Sequence, residues 1–490
     1  MMSKKDTNLG KNIVYMTIYH VFTALTPLIV TPYISRVLGA TEIGKYTYAY
    51  SLAYYFVMLA NLGITTHGSR RIAEVRHNSE AYERRVTDLF WLHIFNSVIV
   101  SVGYVIAIFL GMNQSNQILS LIMIFYVLSS VVDVKWLFYG LERFKVTVLR
   151  SIIIKIIYIA LIFIFVRNRN DITTYTFIMA FVSFFIAELS LFVMIPKCAK
   201  IRRPDFHSMR LEILPLFTLF IPSVAHLLLR HFDKLMIGWM STYDQLGMYE
   251  NTDRVFLILV TVITAVGDVM MPRISNLLAS DNAEKADSLL KNGLHISIII
   301  ACAFTFGIIS IAKEFVPVFF GNDFMGCIEL LIWIAPSIIM LTFSALVRKQ
   351  YLIPRYLEKV YLTATVSSLL INIIANYIFI PHYGALGAVF GTLISEFAVI
   401  AIQFIMIHKQ LNYKPFLADV VRYSFVGIVM LIVVRIISRL PMPPIYLLLI
   451  EIIIGATIFV GLSIMMMKVT NDDLLIQVKM MIERKEKKHD

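Results

Sequence analysis

The chain has 490 residues, 58% of them hydrophobic and only 16% charged, with a mean hydropathy of +0.76. Soluble domains carry about 25% charged residues, and a fold in water has no way to cover this much apolar surface, so the composition excludes a soluble globular protein. The formal charge of +12 would point to nucleic acid in a soluble chain. In a membrane protein, basic loops on one face account for it, and no nucleic-acid partner is expected.

A membrane-crossing helix needs about 20 mostly apolar residues. Apolar runs of that kind fall near 11–35, 43–66, 87–110, 117–140, 148–166, 174–195, 213–238, 246–271, 291–312, 326–347, 358–380, 383–407, 417–437 and 443–467. The first follows Lys4, Lys5 and Lys11 and is read as an uncleaved helix, since no small-residue cleavage pattern interrupts it. The last four runs have very short connections, so twelve spans remain an alternative to fourteen. The stretches 67–86 and 276–290 read as short amphipathic helices at the membrane surface. Cys198, Cys302 and Cys327 have no CxxC partner, so neither a disulfide framework nor a metal site is expected. No GxxxxGK[ST] loop occurs, so neither ATP hydrolysis nor a cofactor is expected.

The basic residues orient this layout. With the N-terminus inside, cytoplasmic segments and helix ends hold 32 of the 44 Lys and Arg, external segments hold 7, and 5 lie within spans. This bias predicts a multi-pass protein of the cytoplasmic (inner) membrane with both termini cytoplasmic. Its phospholipid bilayer contacts include a basic tail, 468–490.

Second-half segments echo first-half segments in order. Ile43-Gly44-Lys45-Tyr46 answers Leu246-Gly247-Met248-Tyr249 at an offset of 203, and Ala187-Glu188 answers Ser395-Glu396 at an offset of 208. Six helices per half give copies of like orientation, a parallel repeat with a site between the halves. The expected fold class is an all-α polytopic membrane protein of about fourteen transmembrane helices. Its organisation is a six-helix lobe at 1–210, a second at 211–412, and two further helices at 413–467 ahead of the tail.

Several of these stretches carry a family resemblance. Ser35-Arg36-Val37-Leu38-Gly39 followed by Gly44 and Tyr46, Leu246-Gly247-Met248-Tyr249 with Arg254, Met271-Pro272-Arg273-Ile274-Ser275, Phe315 to Gly321 with Phe324, and Tyr383 to Ala388 resemble polysaccharide-transport flippases. These form the Wzx-like branch of the multidrug/oligosaccharidyl-lipid/polysaccharide superfamily. The resemblance implies two six-helix lobes around a cavity, alternating access, and export of a sugar built on undecaprenyl diphosphate for O-antigen, capsule or exopolysaccharide. It implies a polymerase and glycosyltransferases as working partners. A cation-coupled drug antiporter of the same superfamily is the alternative, and a membrane glycosyl polymerase would need a large external loop that is absent.

Moving a diphosphate through hydrocarbon requires cationic and hydrogen-bonding side chains at membrane depth. His226, Arg230 and Asp233 share one helix face at i, i+4 and i+7, with Lys234 beside them. Arg254 follows Asp253, and Arg36 and Lys45 flank the first turn. These cations and His226 are the candidate substrate contacts, although pairing among Asp233, Asp253 and Arg254 and interface anchoring of Arg36, Lys45 and Lys234 are equally open. Glu188 and Glu396 occupy matching deep positions and, with Asp233, Asp253 and Asp268, are the candidate ion-coupling groups. Snorkelling to the cytoplasmic face is the favoured reading of Lys135 and Lys155. Tyr46 and Tyr48 are assigned to an interfacial aromatic belt, with Tyr50 and Tyr54 open. Each charge crossing 100 mV is worth about 2.3 kcal/mol, so an interior-negative potential favours outward passage of an anion.

Overall fold

A computed structural model describes the backbone of residues 9–470, with the side chains of 9–18, 20, 21, 24, 217–219, 221–227, 229 and 230 outside the described residues. His226 and Arg230 are therefore placed only as backbone positions on a helix, and Lys4, Lys5 and all but the first three residues of the basic tail lie outside the described residues. Every regular element among the described residues is helical. The protein is an all-α, polytopic membrane protein. Nine described helices are long and apolar enough to cross a bilayer, or ten if Cys327–Ile334 and Pro336–Arg355, bent by 42°, count as one span. Side chains such as Ile99, Phe109 and Val269 stand 70% or more exposed, as lipid-facing groups do and water-facing ones seldom do.

The chain divides into two compact units, Met1–Glu250 and Asn251–Asp490. The first contains α1 (Leu9–Asn61), α2 (Ile64–Val75), α3 (Ser79–Phe109), α4 (Gln117–Ile122), α5 (Ile124–Ser129), α6 (Lys135–Gly140), α7 (Phe144–Phe165), α8 (Ile172–Phe177), α9 (Ala187–Phe192) and α10 (Phe206–Met240). Helix α11 (Tyr243–Ala279) begins in it. The second unit carries α12 (Ala283–Phe319), α13 (Cys327–Ile334), α14 (Pro336–Leu346), α15 (Glu358–Tyr383), α16 (Ala385–Ile407), α17 (Lys414–Ile437) and α18 (Pro444–Val469). Both short connections of the last four runs are real: α15 meets α16 at Gly384, and α17 and α18 are separated by 438–443.

Several expectations shift. The first two runs follow each other directly as α1, kinked at Gly39, where the backbone leaves helical geometry (φ 79°). The stretch 276–290 is not a separate surface helix: α11 continues to Ala279 and α12 starts at Ala283. Apolar length alone does not reveal these extensions, because the polar turns at the end of α11 and at the start of α12 continue the same backbone hydrogen bonding. The stretch 67–86 holds α2, which packs on α3 and α6 through Ile64, Ile72, Val86 and Trp136.

The echoed glycines meet each other. A Cβ on Gly44 would lie 1.7 Å from Tyr243 O, and one on Gly247 would lie 2.0 Å from Ala40 O. The two contacts are mirror partners at the same offset of 203, so the first turn of α11 crosses α1 in a reciprocal, self-complementary way. Only a residue without a side chain permits this approach, and the glycines of the repeated motif are thereby explained.

Candidate functional site

The first unit holds a half-open cavity of about 400 Å3 lined by residues that include Tyr54, Asn61, Tyr126, Asp133, Lys135 and Glu188. Its walls are built where helices break. Ser129 Oγ donates to Tyr126 O and Ser130 Oγ to Val127 O, each at 2.6 Å. Such local bonds compete with the helical ladder, and α5 ends there. Asp133 Oδ1 then accepts from the Lys135 backbone N–H at 3.0 Å and α6 begins. Across the cavity, residues Ile178–Ile186 form a π-helical run between α8 and α9. A hydrogen bond spanning one residue more than in a regular helix changes which side chains face inward, and Phe184 comes to lie 4.1 Å, centroid to centroid, from Tyr126. Glu188 follows on α9.

Four charges converge. Lys135 Nζ lies 3.0 Å from Asp133 Oδ2 and 3.2 Å from Glu188 Oε1, and Arg150 Nη1 on α7 lies 3.7 Å from the same Oε1. Glu188 Oε2 and Arg150 Nε are buried with no hydrogen-bond partner among the described residues. Tyr50 stacks against both Tyr126 (5.3 Å) and Phe184 (5.8 Å), and packs on Tyr46 at 6.0 Å and Tyr54 at 6.1 Å. A chamber of this size is in the range of small-molecule sites, about 300–1,000 Å3, and it offers both hydrogen-bonding groups and ring faces.

A lone cation sits higher on α7. Lys155 is the twelfth residue of α7, about 17 Å along it at 1.5 Å per residue. Its Nζ donates to Thr23 Oγ1 at 2.6 Å and stands 5.2 Å from the centroid of the Tyr19 ring. No carboxylate among the described residues pairs with it. A cation–π contact and a hydroxyl stabilise an ammonium without cancelling its charge, so the group keeps its attraction for an anion.

A second polar cluster joins α2, α3 and α10. Glu212, 1% exposed, accepts from Arg85 Nη1 through Oε1 and from His67 Nε2 (2.6 Å) and Arg71 Nε (3.4 Å) through Oε2. Burial, and then the positive charges of Arg71 and Arg85, push the His67 pKa down to about 4. The imidazole is thus neutral near pH 7 and donates from Nε2–H. Arg71 is also 3.3 Å from Glu74, Arg70 is 3.3 Å from Glu74, and Arg84 is 3.6 Å from Asp205.

The residues singled out from the sequence are distributed across both units. In the first, Lys234 pairs with Glu250 at 2.7 Å, Tyr249 donates to Asp233 Oδ2 at 2.8 Å, and Lys45 pairs with Glu42 at 2.6 Å. Arg36 is exposed. In the second, Asp268 pairs with Lys349 at 2.5 Å, Asp253 and Glu396 are buried, and Arg254 is half-buried. Glu188 stands on the cavity wall, but the Asp133–Lys135 and Arg150 partners that complete its network were not foreseen. The spacing from 135 to 188 carries no periodic signal, and the pairing exists only through tertiary packing. Tyr46 and Tyr48, each 4% exposed, are buried in protein rather than set in a headgroup belt. Tyr46 packs edge-on against Tyr175 at 4.8 Å, which holds it inside the unit.

Comparison with known proteins places this geometry in context. A family model described as "Polysaccharide biosynthesis protein" matches residues 9–278, more than half of the chain. A putative O-antigen transporter of Escherichia coli (strain K12) is 21% identical over 416 residues, 84% of this chain and 99% of its own length. A probable low-salt glycan biosynthesis flippase, Agl15, of Haloferax volcanii is 28% identical over 169 residues, 34% of this chain and 35% of its own. Among solved structures, lipid II flippase MurJ in an inward closed conformation superposes with a TM-score of 0.75 at 17% identity, covering 94% of this chain and 99% of MurJ. An inward-facing multidrug resistance MATE family transporter gives a TM-score of 0.58 at 13% identity, covering 80% and 94%. The fold is shared with both.

Proposed function

The chain belongs to the polysaccharide biosynthesis protein family, in the Wzx-like branch of the multidrug/oligosaccharidyl-lipid/polysaccharide superfamily, and on that premise we propose that it is a flippase. It turns a lipid-linked oligosaccharide, carried on a polyprenyl diphosphate, from the inner to the outer leaflet of the cytoplasmic membrane. It moves its substrate and does not react it. The N-terminal (1–210) and C-terminal (211–412) lobes alternate access, and both chain ends face the cytoplasm, as the basic loops favour.

The observation that carries this reading is Lys155, an ammonium at membrane depth whose partners are a hydroxyl and an aromatic ring. A charge kept in that position without an anion is costly to a fold, and a passing diphosphate supplies the anion. The tyrosine-lined chamber with Lys135, Asp133 and Glu188 supports the sugar part of the assignment, because ring faces and a mixed donor–acceptor set suit a polyhydroxy head. Arg230, Arg254, Arg36 and Lys45 remain proposed contacts along the path, and Asp233, Asp253, Asp268, Glu188 and Glu396 remain proposed ion-coupling groups. An interior-negative potential assists the anion outward.

The test uses the purified full chain in liposomes holding a fluorescently tagged polyprenyl-diphosphate saccharide in the inner leaflet. Without ATP, the tag becomes accessible to an external quencher faster than in protein-free liposomes, and faster still under an interior-negative potential. Equal rates with and without protein, at every potential, would remove the proposal.

A further inference from the structure

Helices α12, α17 and α18 meet in the second unit and enclose a second group of charges that the flippase reading does not use. Glu451, the eighth residue of α18, is 0% exposed, and both of its carboxylate oxygens are buried with no hydrogen-bond partner among the described residues. It lies about 10 Å inside the helix at 1.5 Å per residue. Four residues on, a Cβ at Gly455 would be 3.3 Å from Val434 Cγ2, so α18 is seated tightly on α17 and closes the space around the carboxyl.

Two charged groups face it. Glu314, near the end of α12, is 7% exposed, and its Oε2 is also buried without a hydrogen bond. Arg435, near the end of α17, stands with Nη1 4.0 Å from that Oε2 and donates from Nη2 to Ile309 O at 2.9 Å. Glu314 and Arg435 are also the groups whose charges act on Glu451. With both carboxyls ionised, two carboxylates and one guanidinium leave one uncompensated negative charge beside Glu451, which is 0% exposed. An isolated ionised carboxylate in such surroundings is among the most costly arrangements in a protein, and at membrane depth it is a functional position by default.

We propose that this junction binds one monovalent cation, H+ or Na+, between Glu451 and Glu314. Arg435 balances the remaining charge, and its half-exposed side chain marks the route from the membrane surface. The site lies on the last two helices and their contact with α12. Its occupancy fixes how the α17–α18 pair packs on the rest of the unit.

The test is made on the purified full chain in detergent, with Glu451→Gln as the comparison, since the amide keeps shape and loses the titrating group. If Na+ is the ligand, replacing K+ by Na+ at pH 8 and constant ionic strength raises the wild-type Tm by about 1–2 °C per tenfold increase above the dissociation constant. E451Q stays flat. If H+ is the ligand, Na+ has no effect, and the wild type loses Tm relative to E451Q as pH rises from 5 to 8. Identical responses of wild type and E451Q in both arms would overturn the site. Should E451Q fail to fold, Glu314→Gln is read the same way. Labelling of wild-type Glu451 by dicyclohexylcarbodiimide, an apolar reagent for protonated carboxyls, gives a reading that needs no variant. Labelling suppressed by Na+ or by raised pH supports the site, and labelling indifferent to both overturns it.

Discussion

Glu212, fully buried, and Glu188, 13% exposed, are both carboxylates of the first unit, and the fold treats them in opposite ways. Glu212 uses both oxygens, taking Arg85 on one and His67 with Arg71 on the other. Glu188 offers one oxygen to Lys135 and Arg150 and leaves the other without a partner on the wall of a chamber. A saturated network of this kind ties elements together, whereas hydrogen-bonding capacity left unused beside open space is free to take water or a ligand. The positive residues divide along the same line. Arg71 and Arg85 are held by a carboxylate, and Lys155 is not.

The largest effect that would sharpen this contrast is at Glu212. Glu212→Ala removes the anion that compensates two guanidiniums and a histidine. Breaking a buried pair from one side costs about 3–5 kcal/mol, and because Arg71 and Arg85 are each about a third exposed the lower end, about 3 kcal/mol, is expected. Thermal unfolding in detergent reads it. A loss no greater than that of Glu188→Ala would erase the distinction between the two sites.

Next in size is Lys155. Replacement by Ala removes the unneutralised charge, and translocation of the tagged diphosphate lipid falls about tenfold, the equivalent of about 1.4 kcal/mol. Lys155→Arg keeps most of the rate, and neither variant shifts Tm by more than a degree or two. A Lys155→Ala protein that transports at the wild-type rate would break the comparison on its functional side. Smaller again is Glu188→Gln. The amide retains an oxygen toward Lys135 and adds a donor toward the chamber, so stability changes by less than about 1 kcal/mol, while the apparent affinity for the saccharide head changes measurably.

How much of this was legible beforehand differs by level. The all-α membrane fold stood plainly in the apolar runs, because about 20 apolar residues in a row have few other uses. The Gly44 and Gly247 echo was legible as a repeat, and the close reciprocal crossing supplies its cause. Charge partners were not legible. Glu188 stands out in the sequence by its depth, but Lys135, with its partner Asp133, and Arg150 reach it from two other segments. By sequence Lys155 reads as a snorkelling group, because sequence gives depth along a helix and not the neighbour across it. Glu451 is a single acid in an apolar run. Its significance lies in what surrounds it in space, and periodicity carries no record of that.

The last comparison concerns His67 and decides whether Glu212 is compensated by charge or by a neutral donor. The folded-state pKa is held down to about 4, against 6.5 for a free imidazole. Between those values the unfolded chain binds a proton that the folded chain does not, so stability rises with pH across the window. The His67 contribution is complete above pH 6.5 and is lost as pH falls toward 4. In His67→Gln the side-chain amide still donates to Glu212 but cannot titrate. Carboxylates common to both proteins cancel in the difference, so the wild type should lose Tm relative to His67→Gln between pH 7 and pH 4.5. A protonated His67 in an ion pair with Glu212 would give the reverse slope, the wild type gaining as acid is added. That result would mean the Glu212 cluster carries one more positive charge than the neutral-imidazole geometry allows, and the two carboxylates would then differ in degree rather than in kind.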